Sequence, residues 1–294
     1  MNIIHRLDRV IAKVKEQPKD LLILRLTVIA LLLYSPPYNP LKSMVLPILC
    51  AIMLVSSDFL TRRFLWAVLV FSFVATNVAF WYEFDNHHYL TNYWCIVCLL
   101  AVRTKNARDI LSWNGRLLIG LCFFFATLWK IIALQFFDGS FLQATILLDR
   151  RLEMAAYLFG GLPAEVLYNN RELLDYFAAT SLGQEALLTT SPQLAFLSVI
   201  LSYWTILCEG MVAIAFLVPQ LKWLYDRRDY ILMLFIITTY PLVPVGGFAS
   251  LLAVMGLAQC SCDRPRVQFA YLILLVFIPF WMDIPQIIFD RFLI

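Results

Sequence analysis

Long runs of apolar residues, separated by short polar segments, make up most of the chain. A bilayer offers no hydrogen-bond partner to a free backbone N–H, so a run that crosses it must be helical, and a crossing needs about 20 residues. The pattern predicts an all-α integral membrane protein, a polytopic bundle of about nine transmembrane helices. The predicted helices cover residues 21–36, 41–57, 64–82, 88–103, 114–137, 192–218, 229–243, 246–260 and 267–290.

The seventh and eighth runs are short and are joined by a segment rich in proline and glycine, residues 241–247. The number of helices falls to eight if 229–260 forms one kinked or re-entrant element. Nine crossings with the N-terminus inside place most of the lysines and arginines on the inner side, as the positive-inside rule requires. This distribution favours nine crossings, with the C-terminus outside.

Composition narrows the class of protein further. Of the 294 residues, 62% are hydrophobic and 15% are charged, and mean hydropathy is +0.78. A soluble fold of this length lacks the polar surface to cover so much apolar side chain, which excludes a soluble enzyme, a disordered tail and a disulfide scaffold. The net charge of +3 comes from basic residues at the ends of apolar runs. They indicate topology in a lipid bilayer, and no nucleic-acid partner is predicted.

Two polar segments define the domain organisation. Residues 1–20 form a basic N-terminal segment, expected to be cytoplasmic, and 21–294 form a single transmembrane domain. The polar stretch 138–190 falls on the outer side and has more acidic than basic residues. Its apolar patches predict short amphipathic helices over the outer face. This loop is the expected binding surface for a protein or peptide partner.

Four ionisable residues stand out within predicted helices, where each costs roughly 2.5–3.5 kcal/mol on insertion scales. One of them, Arg25, lies near the inner end of the first run and is expected to reach the lipid headgroups. Lys130 lies about two-thirds along the fifth run, and Asp283 in the ninth run comes out at a similar depth. Asp283 is therefore the candidate counter-ion. Glu209 falls in the inner half of the sixth run, so we expect it to lie too far from Lys130 to pair with it.

Lys130 is also the candidate for chemistry, since a lysine buried in apolar surroundings can be partly neutral near pH 7 and act as a general base. His87 and His88 lie in the loop before the fourth run, on the same predicted side, and histidine suits proton transfer. The structural alternative is a lysine–carboxylate pair that only fixes helix packing. No grouping of His, Cys, Asp and Glu has convincing ligand spacing, so no metal site is predicted.

Two sequence motifs resemble those of a known family. Residues Asn86-His87-His88-Tyr89-Leu90 resemble the Asn-His-x-Tyr-Leu signature of the membrane module of vitamin K-dependent gamma-carboxylase and its bacterial relatives, the horizontally transferred transmembrane (HTTM) domain proteins. Lys130 followed by Asp138-Gly139 is similar to the family's lysine-to-glycine stretch, and Glu209 before an apolar run is also similar to it. The likeness covers roughly residues 20 to 290.

The resemblance implies that Lys130 is a base acting on a quinone-like substrate and that His87 assists it. A hydroquinone is then the expected cofactor, or more generally a small hydrophobic ligand. The lumenal peptide-binding domain of the carboxylase has no counterpart in the chain, so a full glutamate carboxylase is not expected. The expected supporting residues are Asn86, His88, Tyr89, Asp138, Gly139, Glu209 and Asp283.

Three functions remain open from the sequence. The leading hypothesis is an HTTM-type membrane enzyme, carboxylase-like or of another lyase or oxidoreductase type, that uses Lys130 on a quinone or lipid or in peptide modification. The alternative is a non-catalytic maturation or assembly factor, or a complex subunit, that binds a partner protein or peptide. A carrier is the third, because charge pairs and broken helices also occur in transporters. A bacterial plasma (inner) membrane is the expected location.

Overall fold

The computed structural model describes residues 18–33, 40–81, 86–180, 187–241, 243 and 245–292. It is 84% helical, and the described residues form no strand. The all-α prediction is therefore confirmed. The α-helices are α1 Lys19–Leu33, α2 Pro40–Val55, α3 Ser57–Leu60, α4 Arg63–Ala79, α5 Asn86–Ala101, α6 Ala107–Ile132, α7 Ser140–Leu148, α8 Glu153–Gly160, α9 Ala164–Thr180, α10 Pro192–Leu217, α11 Lys222–Tyr225, α12 Arg228–Thr239, α13 Gly246–Gln259 and α14 Pro265–Phe292.

Each predicted apolar run contains a helix, and the segment 229–260 forms two separate helices, α12 and α13. Two helices, α6 and α10, are long and apolar enough to cross a membrane by length and composition. Shorter apolar helices include Arg63–Ala79 and Gly246–Gln259. The count of nine crossings and their direction stay predictions.

The helix formed by the fifth predicted run is α6, and its bounds differ from the predicted 114–137. It begins at Ala107 and ends at Ile132. Ala107, Ile110 and Leu111 have the spacing of one helix face, so the helix extends beyond the purely apolar run. After it comes a 3-10 helix, Leu134–Phe136, and then Gly139 in the left-handed region with φ of 76°. Lys130 consequently lies in the last turn of α6, only about 3 Å along the axis from its end.

The described chain divides into two compact units. The first combines the residues up to Gly120 with Gly246–Ile278, and the second combines Leu121–Val245 with the chain from Pro279 onward. Both α6 and α14 contribute residues to each unit.

The first unit is built around α13, which is buried from Ala249 to its end. A helix that is apolar on all sides suits such an interior position. α13 packs against α1, and a Cβ on its Gly256 would lie 2.5 Å from the Tyr271 ring, so only glycine lets α14 approach this closely. Between α5 and α1, the Trp94 indole donates to Thr27 Oγ1 at 3.0 Å.

The second unit is organised along α10. The short helices α7 and α8 pack against it, and so does α12. Gly139, before α7, is so close to α10 that a Cβ there would lie 2.8 Å from the Val199 backbone nitrogen. At the N-terminal end of α10, Ser191 Oγ donates to the Gly160 carbonyl of α8.

The polarity of α10 is the reverse of that of a helix on the surface of a soluble protein. Its buried face includes Ser198, Ser202 and Glu209. Large apolar side chains are exposed instead, among them Phe196 at 70% and Leu207 at 55%. α4 likewise exposes apolar residues at seven-residue intervals, namely Phe64, Phe71 and Val78. Surfaces this apolar are stable against lipid or another apolar partner and unfavourable in water.

Candidate functional site

The centre of the candidate site is an ion pair between α6 and α10. Lys130 Nζ lies 2.5 Å from Glu209 Oε2, and the two side chains are only 15% and 10% exposed. Removing one member of a buried ion pair leaves the other charge uncompensated, which lowers the stability of the fold by about 3–5 kcal/mol. Each of these two residues therefore depends on the other for its position in an apolar unit.

This pair corrects the prediction that Glu209 lies too far from Lys130. That prediction assumed that neighbouring helices begin and end at equal depth. In the structure, Thr127 lies against Gly210 and Gly139 lies against Val199, so the chain after α6 runs along α10 in the opposite direction. The first half of α10 is thus covered by the segment that follows α6, and the end of α6 lies level with Glu209.

The surroundings of the pair combine an aromatic ring with a hydroxyl. Lys130 Nζ lies 5.5 Å from the centroid of the Phe136 ring, at the distance of a cation–π contact. One turn before Lys130, Thr127 Oγ1 is buried, and no described atom is a hydrogen-bond partner for it. The methyl group of Thr127 lies 3.6 Å from the position of a Cβ on Gly210, which fixes the side chain beside Glu209.

A buried aromatic cluster lies beside the Glu209 half of the site. Phe123 and Phe235 meet edge to face with centroids 4.7 Å apart, and Phe235 meets Tyr240 in the same way at 5.8 Å. Tyr240 is within electrostatic range of Glu209. This cluster joins α6 to the C-terminal half of α12.

Asp138 and Gly139 belong to the turn that leads into α7 rather than to the ion pair. Asp138 is exposed, and its Oδ1 accepts a hydrogen bond from the Ser140 backbone N–H at 2.8 Å. Hydrogen bonds from the Ser140 side chain and backbone lower the pKa of the Asp138 carboxyl. Gly139 is needed for its positive φ and its approach to Val199.

The described part of the segment 138–190 contains α7, α8 and α9 around a small apolar core that includes Leu147, Leu167 and Leu194. Two ion pairs form within the described part of the segment. Arg171 Nη2 lies 2.9 Å from Glu153 Oε2, and Arg151 donates to both carboxylate oxygens of Asp149.

Two opposing effects act on the Asp149 carboxyl. Partial burial raises the pKa, whereas the hydrogen bonds from Arg151 and the positive charges of Arg151 and Arg171 lower it. Together they outweigh the burial, so the pKa lies below its ordinary value. Asp149 is therefore ionised at neutral pH, and its pair with Arg151 closes the turn before α8.

The histidine motif lies in the first unit. Asn86 and His87 begin α5, and their side chains lie outside the described set. His88 is half-buried, and Tyr89 Oη donates to the Trp81 carbonyl at 3.5 Å. The histidine motif belongs to the first unit and Lys130 belongs to the second. The role of His87 beside Lys130 therefore stays a prediction.

The remaining predicted counter-ion, Asp283, lies on α14, and its side chain is outside the described set. The same holds for most of the basic N-terminal segment, since residues 1–17 are not described.

The sequence interpretation missed a line of hydroxyls on α10. Ser198, Ser202 and Thr205 precede Glu209 at intervals of four, three and four residues, which places all four on one helix face. The spacing itself was the available signal. Single serines and threonines are common in membrane helices, so the residue types alone do not mark these positions.

Taken together, the described residues define an all-helical protein with two helices able to cross a membrane and a partly buried Lys–Glu pair. No protein-family model matches the chain. No curated protein and no solved structure matches it either.

Proposed function

We propose that the chain is an integral membrane protein of the HTTM type in which Lys130 and Glu209 transfer a proton from a hydrophobic hydroxyl compound. The observation that carries the proposal is the 2.5 Å contact between Nζ and Oε2 in a site that is mostly closed. Two helices long enough to cross a membrane and the outward apolar face of α10 support the membrane setting. A bacterial plasma membrane remains the expected location.

The pair can accept a proton from a hydroxyl compound by two routes, which differ in whether Glu209 or Lys130 takes that proton. A hydroxyl that gives its proton to the Glu209 carboxylate leaves an oxyanion, a protonated Glu209 and the Lys130 ammonium. If the proton of the pair starts on Glu209 instead, the neutral Lys130 amine accepts the hydroxyl proton, and the products are the same. The oxyanion therefore faces an ammonium in either case, and the site gains no net charge, which matters where unpaired charge is costly.

A hydroquinone fits the residues of this site. Its hydroxyl can donate to Glu209, and Thr127 Oγ1 is a buried group with no described partner that can bond to a second oxygen. The Phe136 ring offers an aromatic surface near Nζ. When bound, a hydroquinone supplies an acidic hydroxyl whose anion is easily oxidised. The protein's own residues bind it, orient it and hold the proton.

The proposal predicts that the Lys130–Glu209 pair strengthens binding of a naphthohydroquinone. It should contribute little to binding of the oxidised naphthoquinone, which has no hydroxyl proton to donate. Glu209→Gln should weaken hydroquinone binding at least about tenfold, because a hydrogen bond to a charged group contributes about 1.5–3 kcal/mol. Quinone binding should change little. Equilibrium binding to the purified protein in lipid nanodiscs, under anaerobic conditions, measures both.

The double variant Lys130→Met/Glu209→Gln separates chemistry from packing, since it removes both charges and leaves neither unpaired. Under the proposal it keeps a melting temperature near wild type and loses the preference for hydroquinone. If it keeps that preference, the pair serves only to fix helix packing and the proposal is wrong.

A second candidate function is favoured by the exposed face of α9. Glu165, Glu172 and Asp175 lie on this face together with Tyr168 and Tyr176, and the described residues form no ion pair with these three carboxylates. Such a surface suits a basic partner protein or peptide, as expected of a maturation or assembly factor. By contrast, Glu153 and Arg151 already bind within the segment.

A further inference from the structure

The hydroxyl line of α10 lies on the wrong face for a helix in water. Ser202 is fully buried, whereas Phe196, Ile200 and Leu207 on the same helix are exposed. In a membrane helix, polar groups turned inward either bond to a neighbour or bound water, or they serve transport or proton transfer.

Two of the hydroxyls have a local partner and one does not. Ser198 Oγ donates to the Leu194 carbonyl at 2.8 Å, and Thr205 Oγ1 donates to the Leu201 carbonyl at 2.7 Å. Among the described residues, no hydrogen-bond partner lies near Ser202 Oγ. A buried hydroxyl without a partner costs free energy, and in native proteins an ordered water commonly satisfies it.

The line ends at the ion pair on one side. Groups three or four residues apart on a helix have Cβ atoms about 5–6 Å apart, a gap that one water molecule can bridge. Ser202, Thr205 and Glu209 therefore form consecutive steps, and the partnerless Ser202 has both its donor and its acceptor available for such waters.

The other side of the line approaches the solvent. Gly139 packs on Val199, the neighbour of Ser198, and the residues on either side of Gly139, Asp138 and Ser140, are exposed. From Ser198 to Glu209 the distance along the helix axis is about 16 Å. The turn before α7 thus brings exposed polar groups to the start of the hydroxyl line.

We infer that Ser198, Ser202 and Thr205 of α10, with bridging waters, form a proton path from the turn at Asp138 and Ser140 to Glu209. A proton released from Glu209 passes along hydrogen-bonded waters and hydroxyls to bulk solvent, and each hydroxyl accepts one proton as it gives up another, so none is consumed. The inference deepens the proposed function, which requires that Glu209 be deprotonated again after each transfer. Its test does not depend on any ligand.

The test follows proton exchange at Glu209 directly. Lys130→Met removes the cation, so that Glu209 can be brought to its protonated form by adjusting pH, and the carbonyl stretch of that carboxyl can be assigned by its loss in Lys130→Met/Glu209→Gln. The exchange rate of this proton after a change to D2O is measured by infrared spectroscopy. Ser202→Ala and Thr205→Val, introduced into the Lys130→Met protein, should each slow exchange at least tenfold.

Tyr203→Phe is the matched control, because it removes a hydroxyl from the exposed face of the same helix and should leave the rate unchanged. Ser202→Thr keeps the hydroxyl and should exchange at nearly the parent rate, which separates loss of the path from damage to the fold. Unchanged exchange in Ser202→Ala and in the Ser202→Ala/Thr205→Val combination would overturn the path. A slowed rate without hydroquinone binding in the protein with Lys130 intact would keep the path and refute the proposed function.

Discussion

At the residue scale, the decisive feature is that two ionisable side chains share one closed site. Lys130 and Glu209 are each costly to bury alone and acceptable as a pair. The same pair can move a proton without leaving a net charge behind. Structural and chemical roles therefore coincide here, and only variants that remove both charges distinguish them.

A glycine fixes the register that brings this pair together. Gly139 has a φ of 76°, and a Cβ there would meet backbone atoms of Val199. Gly139→Ala should therefore suffer both left-handed strain, roughly 1–2 kcal/mol, and overpacking, roughly 1–3 kcal/mol. Thermal unfolding in detergent measures the loss of stability.

Gly161→Ala is the control for that substitution. Gly161 also has a positive φ, but a Cβ there finds its nearest atom only at 4.0 Å. The control should lose only the strain contribution. Equal losses at the two positions would show that the Gly139–Val199 contact does not constrain the register.

At the element scale, specific hydrogen bonds connect the helices between α6 and α10 to the chain just before α10. Asn170 of α9 accepts from the Thr189 N–H at 2.9 Å and donates to the Thr189 carbonyl at 2.8 Å. This pair of hydrogen bonds fastens the chain just before α10 to α9.

We predict that Asn170→Ala releases this connection, because it leaves both backbone groups of Thr189 without their side-chain partner. Amide hydrogen exchange at residues 187–190 should accelerate by about tenfold, because two hydrogen bonds of about 0.5–1.5 kcal/mol each are lost. The exposed neighbour, changed as Asn169→Ala, should exchange like wild type. Protection that survives in Asn170→Ala would mean that α9 is held by its apolar contacts alone.

The element scale also shows how far the sequence predicts the fold. The apolar runs predict the helices well, because hydrophobic length decides where a helix can form. The structure ends α12 at Thr239 and begins α13 at Gly246, whereas the proline- and glycine-rich segment left one kinked helix open as an alternative. The expectation that Glu209 lies too far from Lys130 to pair with it is wrong. Depth counted along each run cannot reveal how far one helix slides past another, since contacts such as Gly139 with Val199 determine that.

At the scale of the whole molecule, large apolar side chains are exposed and several polar side chains are buried, which suits an apolar environment. The apolar faces of α4 and α10 point outward, and the buried face of α10 holds the hydroxyls and Glu209. This arrangement accounts for a hydrophobic fraction of 62% without an equally large interior. It also gives the paired charges a mostly enclosed site, where a neighbouring ammonium acts strongly on any charge that develops.

The measurement that tests this account most directly is native mass spectrometry of the detergent-purified protein, with wild type compared with Lys130→Met, Glu209→Gln and the double variant. The account predicts that wild type retains a small hydrophobic hydroxyl compound, a quinol or a lipid, and that all three variants lose it. The double variant decides between chemistry and packing, because it should lose the compound while its melting temperature stays near that of wild type. A small molecule retained equally by all four proteins would contradict the account. So would a protein partner alone, held by all four and released by charge reversal at Glu165, Glu172 and Asp175, and that result would establish the partner-binding function instead.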